Sequence, residues 1–239
     1  MVQDKNKTAV VLCGHGSRAL QYQNSLKNFV KFLKDGLNEK NIFYCFIEIN
    51  KPLLENCLDS LVDEYSKIYL FPLFIFDGNH YKHDIGQVLL KFEGLNKIKL
   101  IDKLSLKKEV MPIISKILNK RLNLNKKNFL LTFCSPSKDP SVMNELKNYT
   151  ESLSNNLKFS GYSHQFVGKE SLVIPQITKI LLSGGKVVLH PIFFFNGFLS
   201  KKNILFFKQR LDENIIYLRP LVYYREIKEV IVNKLINFS

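Results

Sequence analysis

The chain repeats itself. Lys67-Ile68-Tyr69-Leu70-Phe71-Pro72 returns as Lys186-Val187-Val188-Leu189-His190-Pro191, and Asp84-Ile85 returns as Asn203-Ile204, at a spacing of about 120 residues. Two strand-exit segments return with them. Leu12-Cys13-Gly14-His15-Gly16-Ser17 is matched by Phe133-Cys134-Ser135-Pro136-Ser137, and the run from Pro72 to His80 by the run from Pro191 to Leu199. A chain built this way makes one supersecondary unit twice. In that frame His15 falls on Ser135 and His80 on Leu199. A hydroxyl is a poor metal ligand at neutral pH and leucine is none, so chemistry shared by the two imidazoles can reside only in the N-terminal copy.

Within each copy, apolar runs of strand length alternate with segments of helical periodicity, the pattern of a parallel sheet covered by helices. Strands are predicted at Thr8 to Cys13, Ile42 to Ile47, Lys67 to Phe76 and Ile98 to Ile101, with helices carrying Tyr22 to Leu37, Leu53 to Val62, Val88 to Leu90 and Val110 to Leu118. The polar stretch Asn119 to Asn128 reads as a linker. The order then restarts with strands at Phe129 to Phe133, Gly161 to Val167, Lys186 to Phe194 and Ile215 to Leu218. A helix is expected from Leu172 to Ser183, stopped by Gly184-Gly185, another after Lys202, and a last one through Ile231 and Leu235. The predicted fold is therefore α/β, with two similar flavodoxin-like domains at 1–122 and 126–239, each a mainly parallel sheet flanked by helices.

With 46% hydrophobic residues in 239, the chain can bury a substantial core. No apolar stretch approaches the roughly 18 residues needed to cross a bilayer, and the run after Thr8-Ala9 is too short for a signal-peptide core, so a cytoplasmic protein without membrane contact is expected. Cys13, Cys45, Cys57 and Cys134 stand far apart without a Cys-x-x-Cys pair and read as buried thiols. The net charge of +14 favours an anionic partner: nucleic acid, acidic membrane or a polycarboxylate. Much of the excess lies in pairs such as Lys107-Lys108 and Lys126-Lys127 that read as solvated faces, and the chain has no tryptophan or nucleic-acid motif, so no nucleic-acid partner is expected. Nor is an organic cofactor or nucleotide implied, since no Gly-x-x-x-x-Gly-Lys-Ser/Thr segment occurs.

Both N-terminal histidines fall where ligands bind in such folds, at strand ends crossing to helices. Gly14-His15-Gly16-Ser17 allows a tight turn and close backbone approach to a ligand. Pro72-Leu73-Phe74-Ile75-Phe76 is an apolar strand exit broken by Gly78 before His80. Two imidazoles at rigid strand ends fix an ion while leaving other coordination positions open. Neutral imidazole is also a proton acceptor near pH 7.

These residues carry a family resemblance. Gly14-His15-Gly16-Ser17 with Pro72-x-Phe74-x-Phe76-x-Gly78-x-His80-x-x-x-Asp84-Ile85 resembles the CbiX/SirB-type sirohydrochlorin chelatases, the class II chelatases. The second half is similar to the degenerate copy of the family's long, two-domain members: Ser137-Lys138-Asp139-Pro140 resembles that copy's Ser-Ser-Asp-Pro, and Gly197 through Ile204 its counterpart of the histidine loop. The resemblance implies two chelatase-like domains and insertion of Co²⁺ or Fe²⁺ into sirohydrochlorin, a tetrapyrrole with eight carboxylates, in cobalamin or sirohaem biosynthesis. His15 and His80 would bind the metal and take up pyrrole protons. Glu48 matches the family's acidic strand-end residue and would supply charge or accept a proton, although a glutamate at such a place is often simply solvated. Metal and sirohydrochlorin are then the partners, and a monomer is expected because the two copies mimic a dimer. The alternative is a noncatalytic metal or tetrapyrrole carrier using the same imidazoles.

Other groups near these loops have plainer readings. His83 is expected on the exposed surface, and Asp84 either orients His80 or caps the next helix. His164 and His190 read as structural. Arg18, Lys82, Lys201 and Lys202 lie beside the matched loops and are candidates for substrate carboxylates. Cobalt and iron are not distinguished by spacing, because first-row divalent ions prefer similar nitrogen sites.

Overall fold

The computed structural model describes residues 7–37, 41–78, 83–122, 127–210 and 214–237. The first half supplies β1 (Thr8–Gly14), α1 (Leu20–Leu37), β2 (Ile42–Phe46), α2 (Leu54–Leu61), β3 (Lys67–Pro72), α3 (Ile85–Leu90), β4 (Ile98–Leu100) and α4 (Met111–Asn119). The second supplies β5 (Asn128–Cys134), α5 (Pro140–Asn156), β6 (Gly161–Phe166), α6 (Ile174–Leu182), β7 (Lys186–Pro191), α7 (Phe198–Lys208), β8 (Ile215–Tyr217) and α8 (Arg225–Ile236). Among the described residues the strands form two four-stranded parallel sheets, ordered β2-β1-β3-β4 and β6-β5-β7-β8. The registers repeat as well. Val10 lies opposite Ile42 and Tyr69, and Leu130 opposite Tyr162 and Val188. The α/β architecture of two like sheets expected from the alternation is the one observed.

A parallel strand covered on both faces must be apolar throughout, which is why β1 reads as a continuous run. Ala9, Val11 and Cys13 share a core with Leu54, Cys57, Leu58 and Leu61 of α2 and Ile85 of α3, while Val10 and Leu12, alternating with them along the strand, are also buried. Helix α1 buries Leu26, Phe29, Val30 and Leu33, one stripe at helical spacing. In the second copy Phe129, Leu131 and Phe133 share a core with Ile177 of α6 and Phe207 of α7.

Several elements depart from the predicted bounds, among them β7, which ends at Pro191 instead of Phe194. Strand β3 ends at Pro72 instead of Phe76: its partner on β1 there is Cys13, and β1 stops one residue later. Helix α7 begins at Phe198, ahead of Lys202, because Ser200 Oγ accepts the Gly197 N–H at 3.0 Å and caps an earlier first turn. The helix expected from Leu172 begins as a short 3-10 turn, Glu170–Val173, before α6. The stop after α6 is as expected: Gly184 has φ +72° and the Gly185 N–H donates to Ile180 O at 3.0 Å.

By contact the chain groups into Met1–Leu104 with Lys228–Ser239, and Ser105–Ile227. This grouping differs from the repeat boundary at 122–126 in two segments, 105–122 and 228–239. In the second unit, Asn156 of α5 donates to Ser115 Oγ of α4 at 3.0 Å. In the first, Lys228 Nζ lies 4.6 Å from the centre of the Phe32 ring. No helix among the described residues is long and apolar enough to cross a membrane.

Candidate functional site

The carboxyl ends of β1, β2 and β3 lie together at the switch point of the first sheet, where the connections from β1 and β3 leave in opposite directions. Backbone hydrogen bonds extend past the strands and tie the exits together. Ile47 N–H donates to Gly14 O at 3.0 Å, Glu48 N–H to His15 O at 3.1 Å, and Leu73 N–H to Cys13 O at 2.8 Å. Gly16 makes the close approach possible: its φ is +104°, and a Cβ there would stand 2.0 Å from Glu48 O. No other residue fits this turn without moving the Glu48 backbone.

This scaffold sets His15 against Glu48. The imidazole Nδ1 lies 3.4 Å from Glu48 Oε1 and 3.3 Å from Gly16 O. Both neighbours are acceptors, so Nδ1 is the nitrogen that carries the proton, which leaves Nε2 in the acceptor form that coordinates a divalent cation. The side chains are 39% and 46% exposed, so solvent screens their attraction while leaving the pair reachable. The Phe74 ring, from the exit of β3, stands 6.3 Å from the His15 ring at 52°.

The Glu48 loop is held by residues that spacing alone did not single out. Asn50 Oδ1 accepts the Ser17 N–H at 2.6 Å, linking the β1 and β2 exits a second time. Between them Ile49 has φ 67°, a left-handed conformation that a β-branched residue adopts only under constraint, at roughly 1–3 kcal/mol. Below the loop, the Tyr22 hydroxyl occupies the space a Gly14 Cβ would need, at 2.7 Å. Burial pushes the Tyr22 phenol up to about 12, with the Gly16 and His15 backbone N–H groups acting in the opposite sense. It is therefore neutral at physiological pH and acts as a plug. Tyr22 reads in sequence only as an apolar-stripe member.

His80 and Lys82 lie outside the described residues. His83 is exposed as expected, with its Nδ1 3.3 Å from Asp84 Oδ1. Asp84 makes no side-chain capping bond to α3. Arg18, Lys201 and Lys202 are exposed. Among the described residues no group of three or more His, Cys, Asp or Glu side chains is arranged to hold a metal.

The second copy shows what the same positions become without imidazoles. Ser135 is exposed, and Leu199, in the place of His80, packs against the apolar core. At the positions of Asn50 and Asp84 stand Glu170 and Asn203, joined by a buried hydrogen bond from Asn203 Nδ2 to Glu170 Oε1 at 2.6 Å. His190 is fully buried on β7 and hydrogen-bonds Tyr149 through Nε2 at 2.8 Å. Its role is structural, as expected.

The fold is an α/β fold of the chelatase type, and the second copy lacks imidazoles at the strand-end positions of His15 and His80. Residues 9–121 match the CbiX family model. It is 37% identical over 86 residues to a sirohydrochlorin cobaltochelatase of Methanococcus aeolicus, covering 34% of this chain and 57% of that protein. It is 28% identical over 116 residues to one of Sulfolobus acidocaldarius, covering 48% of this chain and 93% of the relative. The chain thus spans little more than half the length of the first of these. In fold it is similar to SirB from Bacillus subtilis subspecies spizizenii in complex with cobalt, with TM-score 0.73 and 17% identity over 97% of this chain and 94% of that one. It is also similar to CbiX, the terminal enzyme for siroheme biosynthesis in denitrifying bacteria, at TM-score 0.67 and 8% identity over 97% and 99%.

Proposed function

We propose that this protein inserts a divalent metal ion, Co²⁺ or Fe²⁺, into sirohydrochlorin, on a route to cobalamin or sirohaem. The observation that carries the reading is the apposition of His15 and Glu48 at the switch point of the half that matches the CbiX family model. In this reading the ion is delivered by His15 Nε2 and by His80, which leaves coordination positions for the pyrrole nitrogens. As the metal enters, two pyrrole protons must leave. The imidazoles accept them, and Glu48, beside Nδ1, stabilises the imidazolium that forms at His15. The eight carboxylates of the substrate suit a chain of net charge +14. No organic cofactor takes part.

The test is to mix purified protein with sirohydrochlorin and Co²⁺ or Fe²⁺ and follow the ring's absorption over many turnovers. Catalytic metallation, lost on His15→Ala or His80→Ala while the fold is retained, is the expected outcome. A positioned base contributes roughly 100- to 10,000-fold, which sets the scale of the loss. Stoichiometric uptake without turnover would instead identify a carrier, and unchanged rates in either variant would remove the histidines from the mechanism.

A further inference from the structure

Helix α7 turns two large apolar side chains toward solvent. Phe198, at its first position, is 68% exposed and Leu205 is 55% exposed, and Lys201 and Lys202 between them are exposed too. At i, i+3, i+4 and i+7 the four side chains form one stripe, within about 100° of arc and along about 10 Å of the helix. The opposite stripe, Ser200, Asn203 and Phe207, is fully buried. Single exposed apolar residues are ordinary on a protein surface, but a pair that brackets two ammonium groups on one helix face is a composite surface with a definite chemistry.

The stripe is held at the carboxyl end of the second sheet, where ligands bind in such folds. β7 runs into a segment whose Ile192, Phe194 and Phe195 are buried, with Ile192 N–H donating to Phe133 O and Leu221 N–H to Phe193 O, both at 2.8 Å. The buried stripe of α7 then reaches the exit of β6: Glu170 Oε1 accepts Asn203 Nδ2 at 2.6 Å and the Gly168 N–H at 3.0 Å. Neither Lys201 nor Lys202 has a carboxylate partner among the described residues, whereas Lys7, Lys91 and Lys103 are paired with Glu64, Glu55 and Asp77. Two unneutralised ammonium groups one turn from an exposed ring match an anion that is also planar and apolar.

We propose that the outward stripe of α7 is a docking surface for the polycarboxylate tetrapyrrole: Phe198 lies against the conjugated macrocycle, Lys201 and Lys202 hold carboxylates on its rim, and Leu205 extends the apolar contact. This rests on the metal-insertion reading above. Size decides against larger partners. A stable protein interface buries about 800 Å² on each side, far more than four side chains present, and a helix lying in a membrane surface needs a continuous apolar face, where this one has lysines at its centre. The second copy, without imidazoles at the strand ends, thereby keeps a part in the reaction as a holder of the ring.

The experiment is fluorescence titration of the full chain with metal-free sirohydrochlorin, Co²⁺ titration without tetrapyrrole, metallation kinetics and flotation with phosphatidylserine vesicles. The proteins are wild type, Phe198→Ser, Phe198→Tyr, Lys201→Glu/Lys202→Glu and, as a charge-matched control at another exposed lysine pair, Lys107→Glu/Lys108→Glu. By the scale of base stacking on aromatic side chains, Phe198→Ser should raise Kd and KM for sirohydrochlorin by roughly tenfold, with Phe198→Tyr recovering most of the loss. Lys201→Glu/Lys202→Glu should raise both by roughly tenfold at low salt and by less as salt screens the charges, while the control pair should not. Co²⁺ affinity measured without tetrapyrrole should not move, which a general structural weakening would not reproduce. If Phe198→Ser does not fold, the pair of exposed lysines carries the test. Wild-type affinity for sirohydrochlorin in either Phe198→Ser or Lys201→Glu/Lys202→Glu, or an equal loss in the control pair, overturns the proposal. So does a loss of vesicle binding in these variants with tetrapyrrole affinity unchanged, which would assign the stripe to a membrane surface. A wild-type chain that neither binds nor metallates sirohydrochlorin instead overturns the reading beneath it.

Discussion

The repeat supplies a stability experiment with its own internal control. Tyr149 and His190 occupy the positions that Phe29 and Phe71 hold in the first copy, and all four are buried. His190 Nε2 has the Tyr149 hydroxyl at 2.8 Å, while its Nδ1 is buried without a hydrogen-bond partner. Protonation would add both a charge and an unsatisfied N–H in this place, so burial lowers the His190 pKa to about 3. The folded-state value lies below the ordinary 6.5, so between these limits the unfolded chain takes up a proton that the folded chain does not. Stability is therefore full above pH 6.5 and is lost as pH falls toward 3, by about 2 kcal/mol at pH 5 and about 4–5 kcal/mol near pH 3. Tyr149→Phe alone leaves Nε2 buried without its partner and should destabilise by about 1–3 kcal/mol at pH 7. Tyr149→Phe with His190→Phe rebuilds the apolar pair of the first copy and should be near neutral at pH 7. The assay is thermal unfolding of wild type, both single variants and the double variant at pH 7 and pH 5. The gap between double variant and wild type should widen at pH 5 by about 4–8 °C for a chain of this size. Parallel pH dependence in the two proteins, or a Tyr149→Phe change without effect, would refute the reasoning.

Gly16→Ala should lower both the melting temperature and metallation, the latter by roughly 100-fold, because the new Cβ displaces the Glu48 backbone and with it the carboxylate facing His15; a steady-state rate and a melting curve check it. Glu48→Gln keeps the oxygen that faces His15 but removes its charge, and should reduce Co²⁺ affinity or turnover by roughly 10- to 100-fold with an unchanged melting temperature, read by titration and kinetics. The monomer expected from the repeat is checked by light scattering of the purified chain, where a single-chain mass is the expected result.

The strands were legible in sequence because parallel strands buried on both faces leave unbroken apolar runs, as in Val10 to Cys13 and Phe129 to Phe133. Element ends were less so. The extent of β3 depends on where its neighbour β1 stops, and the start of α7 on a capping hydroxyl three residues in, and neither is local to the segment concerned. At the site, His15 and Glu48 stand at strand ends that simple alternation locates. The residues that hold them do not announce themselves. Tyr22 resembles any stripe residue and Ile49 any exposed apolar one, because each role depends on a contact with a distant segment. The Tyr149–His190 pair had a visible signal in the repeat, where two polar residues replace two phenylalanines at matched positions.

The central claim is that His15 and His80 hold one ion together. X-ray absorption of Co²⁺ bound to the purified chain, with His15→Ala and His80→Ala alongside, measures the imidazoles on the metal directly. The account expects two imidazole nitrogens in the wild type and one in each variant; a single imidazole in the wild type, or an unchanged shell in His80→Ala, would contradict it.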